Sequence, residues 1–130
     1  MRIFALKKIE QVKGKSNFYK LEINNKCQFD EFCELLEKKG DESKLKSIYA
    51  IMDAVANLNF LPDTKFKELS GRRPEDKIKD YEIKKDKYRV YLFKDDAGNI
   101  VVFGSIKKRQ KRDIKRLRAI KTEYIKNKKL

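Results

Sequence analysis

YRVYLFKDDAGNIVVFGSI, residues 88–106, holds two runs of β-branched and aromatic residues on either side of a polar turn with a glycine near its tip. Such residues fit a pleated, half-buried surface, and the short turn folds the second run back on the first as an antiparallel hairpin. Upstream, DYEIK at 80–84 supplies a third strand of the same kind. Downstream the chain changes character within two positions, because KKRQKRDIKRLRAI at 107–120 is a dense run of cations. There Ile114, Leu117, Ile120, Tyr124 and Ile125 fall within one arc of roughly 140° at helical spacing, with Lys111, Lys115, Arg116, Arg118 and Lys126 outside it. The spacing predicts an amphipathic helix with one face on the sheet and the other turned to water or a ligand.

Towards the N-terminus, RIFALKKIEQV and NFYKLEI flank KGKS and read as a modest hairpin, or as one strand preceded by an irregular arm, within residues 1–27. Phe29, Phe32, Cys33 and Leu36 then follow helical spacing, and Gly40 ends that helix. Asp41 or Ser43 can cap a second helix carrying Leu45, Ile48, Tyr49, Met52, Val55 and Ala56, closed by Pro62. A short link between two amphipathic helices predicts an antiparallel helical hairpin. DTKFKELSGRRPEDKIK, residues 63–79, reads as a loop of the length that usually carries function, with Arg72 and Arg73 in its middle. The expected architecture is a single α+β domain over 1–130. In it an N-terminal helical hairpin packs on a small antiparallel sheet, with a basic amphipathic C-terminal helix.

The charge is local. The chain of 130 residues carries a net +14, and residues 107–130 hold 12 Lys/Arg against Asp113 and Glu123. Residues 28–42 are acidic, with Asp30, Glu31, Glu34, Glu37, Asp41 and Glu42 against Lys38 and Lys39. Concentrated positive charge points to a polyanion partner, since scattered charge would serve solubility equally well. The chain has no histidine, which excludes the usual zinc sites and every Ser/His or Cys/His nucleophile. Cys27 and Cys33 read as two reduced thiols, since a disulfide framework or metal site needs more ligands. IFAL is cut short by Lys7 and Lys8, too brief for a signal peptide, and no uncharged run approaches the ~18 residues of a membrane span. A soluble cytoplasmic protein without a membrane partner is expected.

Strand parity sorts the side chains. Val90 and Leu92 point one way and Arg89, Tyr91 and Phe93 the other, while Glu82 and Lys84 share a face of the preceding strand. If the helical hairpin covers the Val90 face, an open face collects Glu82, Lys84, Arg89 and the Lys107–Arg109 run. Converging cations bind phosphate, and Tyr91 beside them could stack a base, favouring a single strand. The candidate nucleic-acid contacts are Arg72, Arg73, Tyr91, Lys107, Lys108, Lys111, Arg112 and Lys115. RNA cleavage needs a base for the 2′-OH proton, cations around phosphorus and an acid for the leaving oxygen. Glu82 could be the base, or Lys84 if neighbouring cations depress it, and Arg89 and Arg109 suit the crowded phosphate. The bland counter-readings are a solvated lysine-rich helix, a Glu82 that merely pairs with Lys84 or Arg89, and a Lys107–Lys108 pair that only anchors backbone phosphates.

The order helix, helix, loop, three strands and basic helix, with YEIKKDKYRVYLF followed by IVVFGSIKKRQKRDIKRLRAI, resembles the RelE/HigB-type toxins of bacterial toxin–antitoxin pairs over residues 28–124. The resemblance implies a compact α+β fold and a ribosome-dependent mRNA endoribonuclease that needs no metal or other cofactor. It also implies an antitoxin protein that holds the enzyme inactive, with mRNA and ribosome as partners. By position it implies catalytic roles for Arg89, Arg109 and Lys84, and for Glu82, which stands where many relatives have a second lysine. Lys107 and Lys108 match a basic pair. Lys115 replaces a helix tyrosine of several relatives, and Arg112–Asp113 stand where a proline is frequent. Two rival functions use the same residues, a ParE-like toxin without catalysis and a plain RNA-binding module.

Overall fold

The computed structural model describes residues 2–128 and places three strands ahead of the first helix. β1 (Phe4–Lys8) and β2 (Phe18–Ile23) pair antiparallel, with Phe4 opposite Ile23. Asn24 and Asn25 both take left-handed backbone, φ 52° and 67°, which turns the chain tightly into β3 (Lys26–Cys27) against β2. Helix α1 (Gln28–Lys38) buries Phe29, Phe32, Cys33 and Leu36, and Gly40 at φ 76° stops it. Helix α2 (Glu42–Ala56) buries Leu45, Ile48, Ile51, Met52 and Ala56. Asp41 precedes it, but its carboxylate accepts from the Tyr88 hydroxyl and caps no backbone N–H.

The second half supplies β4 (Phe66–Glu68), β5 (Asp80–Lys85), β6 (Tyr88–Asp95) and β7 (Gly98–Ile106). A single 3-10 turn (Lys107–Arg109) then leads into α3 (Gln110–Lys128). The seven strands form one sheet in the order β1-β2-β7-β6-β5-β4, with β3 hung on β2. All pairs are antiparallel except β2 with β7, where Phe18 faces Asn99 and Lys20 faces Val101.

This overturns the expected architecture. The helices do not form an N-terminal hairpin on a small antiparallel sheet, because strands come first and the sheet is larger and mixed. An uncovered β7 edge would leave a row of backbone groups unpaired, and β2 pairs with them while burying Phe18, Leu21 and Ile23. The predicted loop 63–79 is also shortened by β4, whose Phe66 stacks on Tyr81 of β5 with ring centroids 4.9 Å apart.

The sheet is buried on both sides at its centre. Val90, Leu92, Ile83 and Val101 lie under α1 and α2. Tyr91, Phe93, Ile100, Val102 and Phe103 lie under Leu117, Ile120 and Tyr124 of α3. A bulge between Tyr91 and Leu92 lets Val102 and Phe103 face α3 together. Gly104 then meets α1 so closely that an added Cβ would stand 2.3 Å from the Phe32 ring. The open face expected beside Arg89 is therefore closed by α3.

Candidate nucleic-acid interface

The strand register brings three of the four predicted catalytic side chains together. Glu82 sits opposite Tyr91 and Lys84 opposite Arg89 across β5 and β6, all on the α3 side. The Glu82 carboxylate, 1% exposed, accepts from Gln110 Nε2 at 2.9 and 2.7 Å on its two oxygens, and Lys84 Nζ lies 3.8 Å away. Arg89 Nη1 donates at 2.8 Å to the carbonyls of Asp86 and Tyr88, which turns its guanidinium back toward the β5–β6 turn. Asp113, from the first turn of α3, is buried in the same layer.

This layer is short of partners. Arg89 Nε, the Tyr91 hydroxyl and Asp113 Oδ2 are buried without a hydrogen-bond partner among the described residues. Burial pushes the Tyr91 phenol well above its ordinary value, and the charges of Glu82 and Asp113 push the same way. Buried polar atoms are usually satisfied, so three such atoms in one layer leave room for hydrogen bonds from water or a ligand. The nucleic-acid role assigned to Tyr91 does not survive, because the ring is 0% exposed and packs against Phe103 at 5.2 Å. A base has no face of it to stack on.

Arg109 stands apart from Glu82 and Arg89. It is exposed on the 3-10 turn and makes no polar contact with either among the described residues, although the next residue, Gln110, holds Glu82. With Lys108, Lys111, Arg112 and Lys115 it lines a hollow of about 650 Å³ that no acidic side chain enters. Lys107 and Lys108 line a second hollow of about 590 Å³ beside Lys39, Lys87, Ile106 and Gln110. Every phosphate-binding candidate on this segment is therefore exposed, and none has an ion-pair partner among the described residues.

The loop arginines lie elsewhere. Arg72 Nε donates to the Asp76 carbonyl at 2.9 Å and its Nη1 reaches Glu68 at 3.5 Å, so Arg72 serves its own loop. Arg73 is exposed. That loop is stitched to α3 near Asp80, the opposite end of β5 from Lys84. Neither arginine joins the cation cluster.

Gln110 and Asp113 escaped the sequence reading, although a signal was present. At 100° per residue, Gln110, Asp113, Leu117, Lys121 and Tyr124 fall in one narrow arc. Polar side chains on an apolar stripe are buried with partners or for a purpose. Arg116 also escaped, and its guanidinium lies 4.3 Å over the Phe103 ring while donating to Gln28. Both cysteines are free and buried, and burial pushes the Cys33 thiol up to about 11. No cluster of three metal-ligating side chains occurs among the described residues. Among the described residues no helix is long and apolar enough to cross a membrane.

No family model, no curated protein and no solved structure matches the chain.

Proposed function

We propose that the protein binds RNA through the 3-10 turn and the first half of α3 and cleaves it in the manner of a RelE/HigB-type toxin. The observation that carries the reading is the acid-free hollow of Lys108, Arg109, Lys111, Arg112 and Lys115, one residue from the amide that holds Glu82. Five cations without carboxylates neutralise phosphates, and their contribution falls with salt. Glu82 takes the 2′-OH proton as the 2′-oxygen attacks phosphorus, and the 5′-oxygen leaves with a proton from a neighbouring cationic acid such as Lys84. Arg109 braces the negative oxygens from the exposed turn, while Arg89 joins it only by leaving the Asp86 and Tyr88 carbonyls that hold its guanidinium. Both Glu82 oxygens are occupied by Gln110, so substrate entry must draw that amide aside. The ribosome is the natural source of such positioning, the compartment is then the cytoplasm, and an acidic antitoxin protein is the neutralising partner.

A second reading is a non-catalytic RNA binder or ParE-like inhibitor, and it is favoured by the burial of Glu82 and Arg89. Induced expression followed by mapping of RNA 5′ ends separates them. The toxin reading expects growth arrest with codon-phased cuts, abolished by Arg109→Ala and by Glu82→Gln while both variants stay folded by circular dichroism. Arrest without new ends leaves the non-catalytic reading, and full growth ends both toxin readings.

A further inference from the structure

We infer that RNA follows one continuous track around the 3-10 turn, reaching Lys39 at the end of α1 and Lys87 in the β5–β6 turn, and that the track takes a single strand. The inference rests on the RNA reading above and extends it to two lysines far from α3 in sequence. Three hollows meet at the turn and share walls. The α3 hollow and the Lys39–Lys87 hollow share Lys108, and a third of about 470 Å³ against α1 shares Arg109 with the first and Lys39 and Ile106 with the second. Glu31 is the one acidic side chain on any of these walls.

Lys39 and Lys87 are exposed and have no ion-pair partner among the described residues. Their backbone setting is firm. The Lys107 N–H donates to the Lys87 carbonyl at 2.7 Å, which ties the β5–β6 turn to the 3-10 turn, and Lys87 Nζ lies 5.4 Å over the Tyr88 ring. Apolar surface borders the cations, from Ile106 and from Leu35, which is 48% exposed. A cationic groove that tracks the backbone is the electrostatic half of single-strand binding, and here aliphatic Leu35 and Ile106 border it in place of stacking aromatics. A duplex, whose persistence length is about 150 base pairs for DNA, follows so tight a turn only at a deformation cost that a single strand does not meet. Gln110 lines the Lys39–Lys87 hollow and donates to Glu82, so a phosphate that passes over Gln110 is the one nearest the buried carboxylate.

The test is fluorescence anisotropy of a labelled, unstructured single-stranded RNA and of a duplex of the same sequence, titrated at several salt concentrations. The Lys39→Gln/Lys87→Gln variant is compared with unmodified protein and with Lys7→Gln/Lys26→Gln, which removes two exposed charges from the β1 and β3 strands. Each lost single-strand phosphate contact takes about 0.7 off the slope of log affinity against log salt. We expect Lys39→Gln/Lys87→Gln to lose about tenfold in single-strand affinity with a correspondingly shallower slope, and to bind duplex as before. Equal losses in the two variants, no loss, or the same loss on duplex would overturn the track while leaving RNA binding in place. Failure of the unmodified protein to bind either RNA overturns the RNA reading, and the track with it.

Discussion

Two stretches of α3, a front part over Lys111–Lys115 and a rear part over Arg118–Lys121, both carry cations and use them in opposite ways. In the front part, Lys111, Arg112 and Lys115 stand in water with Lys108 and Arg109, without carboxylate partners among the described residues. In the rear part, Arg118 grips both oxygens of Asp80 at 3.0 Å, and Lys121, 1% exposed, reaches Asp76 at 2.6 Å, Asp80 at 2.8 Å and the Ile78 carbonyl at 2.6 Å. Positive charge in a sequence is thus not the same as positive charge on a surface. Where Asp76 and Asp80 lie within reach, the helix uses its cations for docking, and where the nearest β5 carboxylate, Glu82, is taken by Gln110, the cations stand in solvent.

Breaking the rear network should have the largest effect. Asp80→Ala leaves Lys121 buried with Asp76 as its remaining carboxylate, and should cost about 3–5 kcal/mol in urea denaturation while the folded fraction keeps its RNA affinity. An Asp80→Ala variant as stable as the parent would show that the two parts do not differ in kind. Next is the front part. Replacing Lys108, Lys111, Arg112 and Lys115 together by Gln should cut single-strand RNA affinity by about 100-fold near 0.1 M salt and leave the urea midpoint unchanged. If stability fell and binding held, the assignment of the parts would be reversed.

The smallest effect is with pH, and it sharpens the same contrast. Burial pushes the Asp80 carboxyl up, but the hydrogen bonds and charges of Arg118 and Lys121 outweigh it and hold it below its ordinary 3.8. A group depressed in the folded state contributes stability that is complete above the unfolded value and disappears as pH falls through the folded one. The stability gap between parent and Asp80→Ala should therefore be constant above about pH 5 and narrow only in strong acid.

Much of the candidate site was legible before any coordinates. Parity on β5 and β6 placed Glu82, Lys84 and Arg89 on one face, because alternation in a strand is set by backbone geometry and needs no partner. The same rule placed Tyr91 beside them, but it says nothing of what covers the face. The ring's burial under α3 follows from packing, and with it the loss of a stacking platform. Arg109 and Gln110 show the limit at its sharpest, since adjacent residues on the turn part, one to solvent and one to the buried carboxylate.

Local physics in the chain was enough to determine an α+β protein with a β6–β7 hairpin, two amphipathic helices after Phe29 and a cationic helix last. Periodicity, turn residues and charge density are properties of neighbours in sequence. Only the tertiary structure decided that β2 joins β7 in parallel and enlarges the sheet, and that Asp80 consumes the rear cations of α3. It alone brought Lys39 and Lys87 round to the front ones. Those outcomes depend on contacts between residues tens of positions apart, whose energies appear only when the surfaces meet.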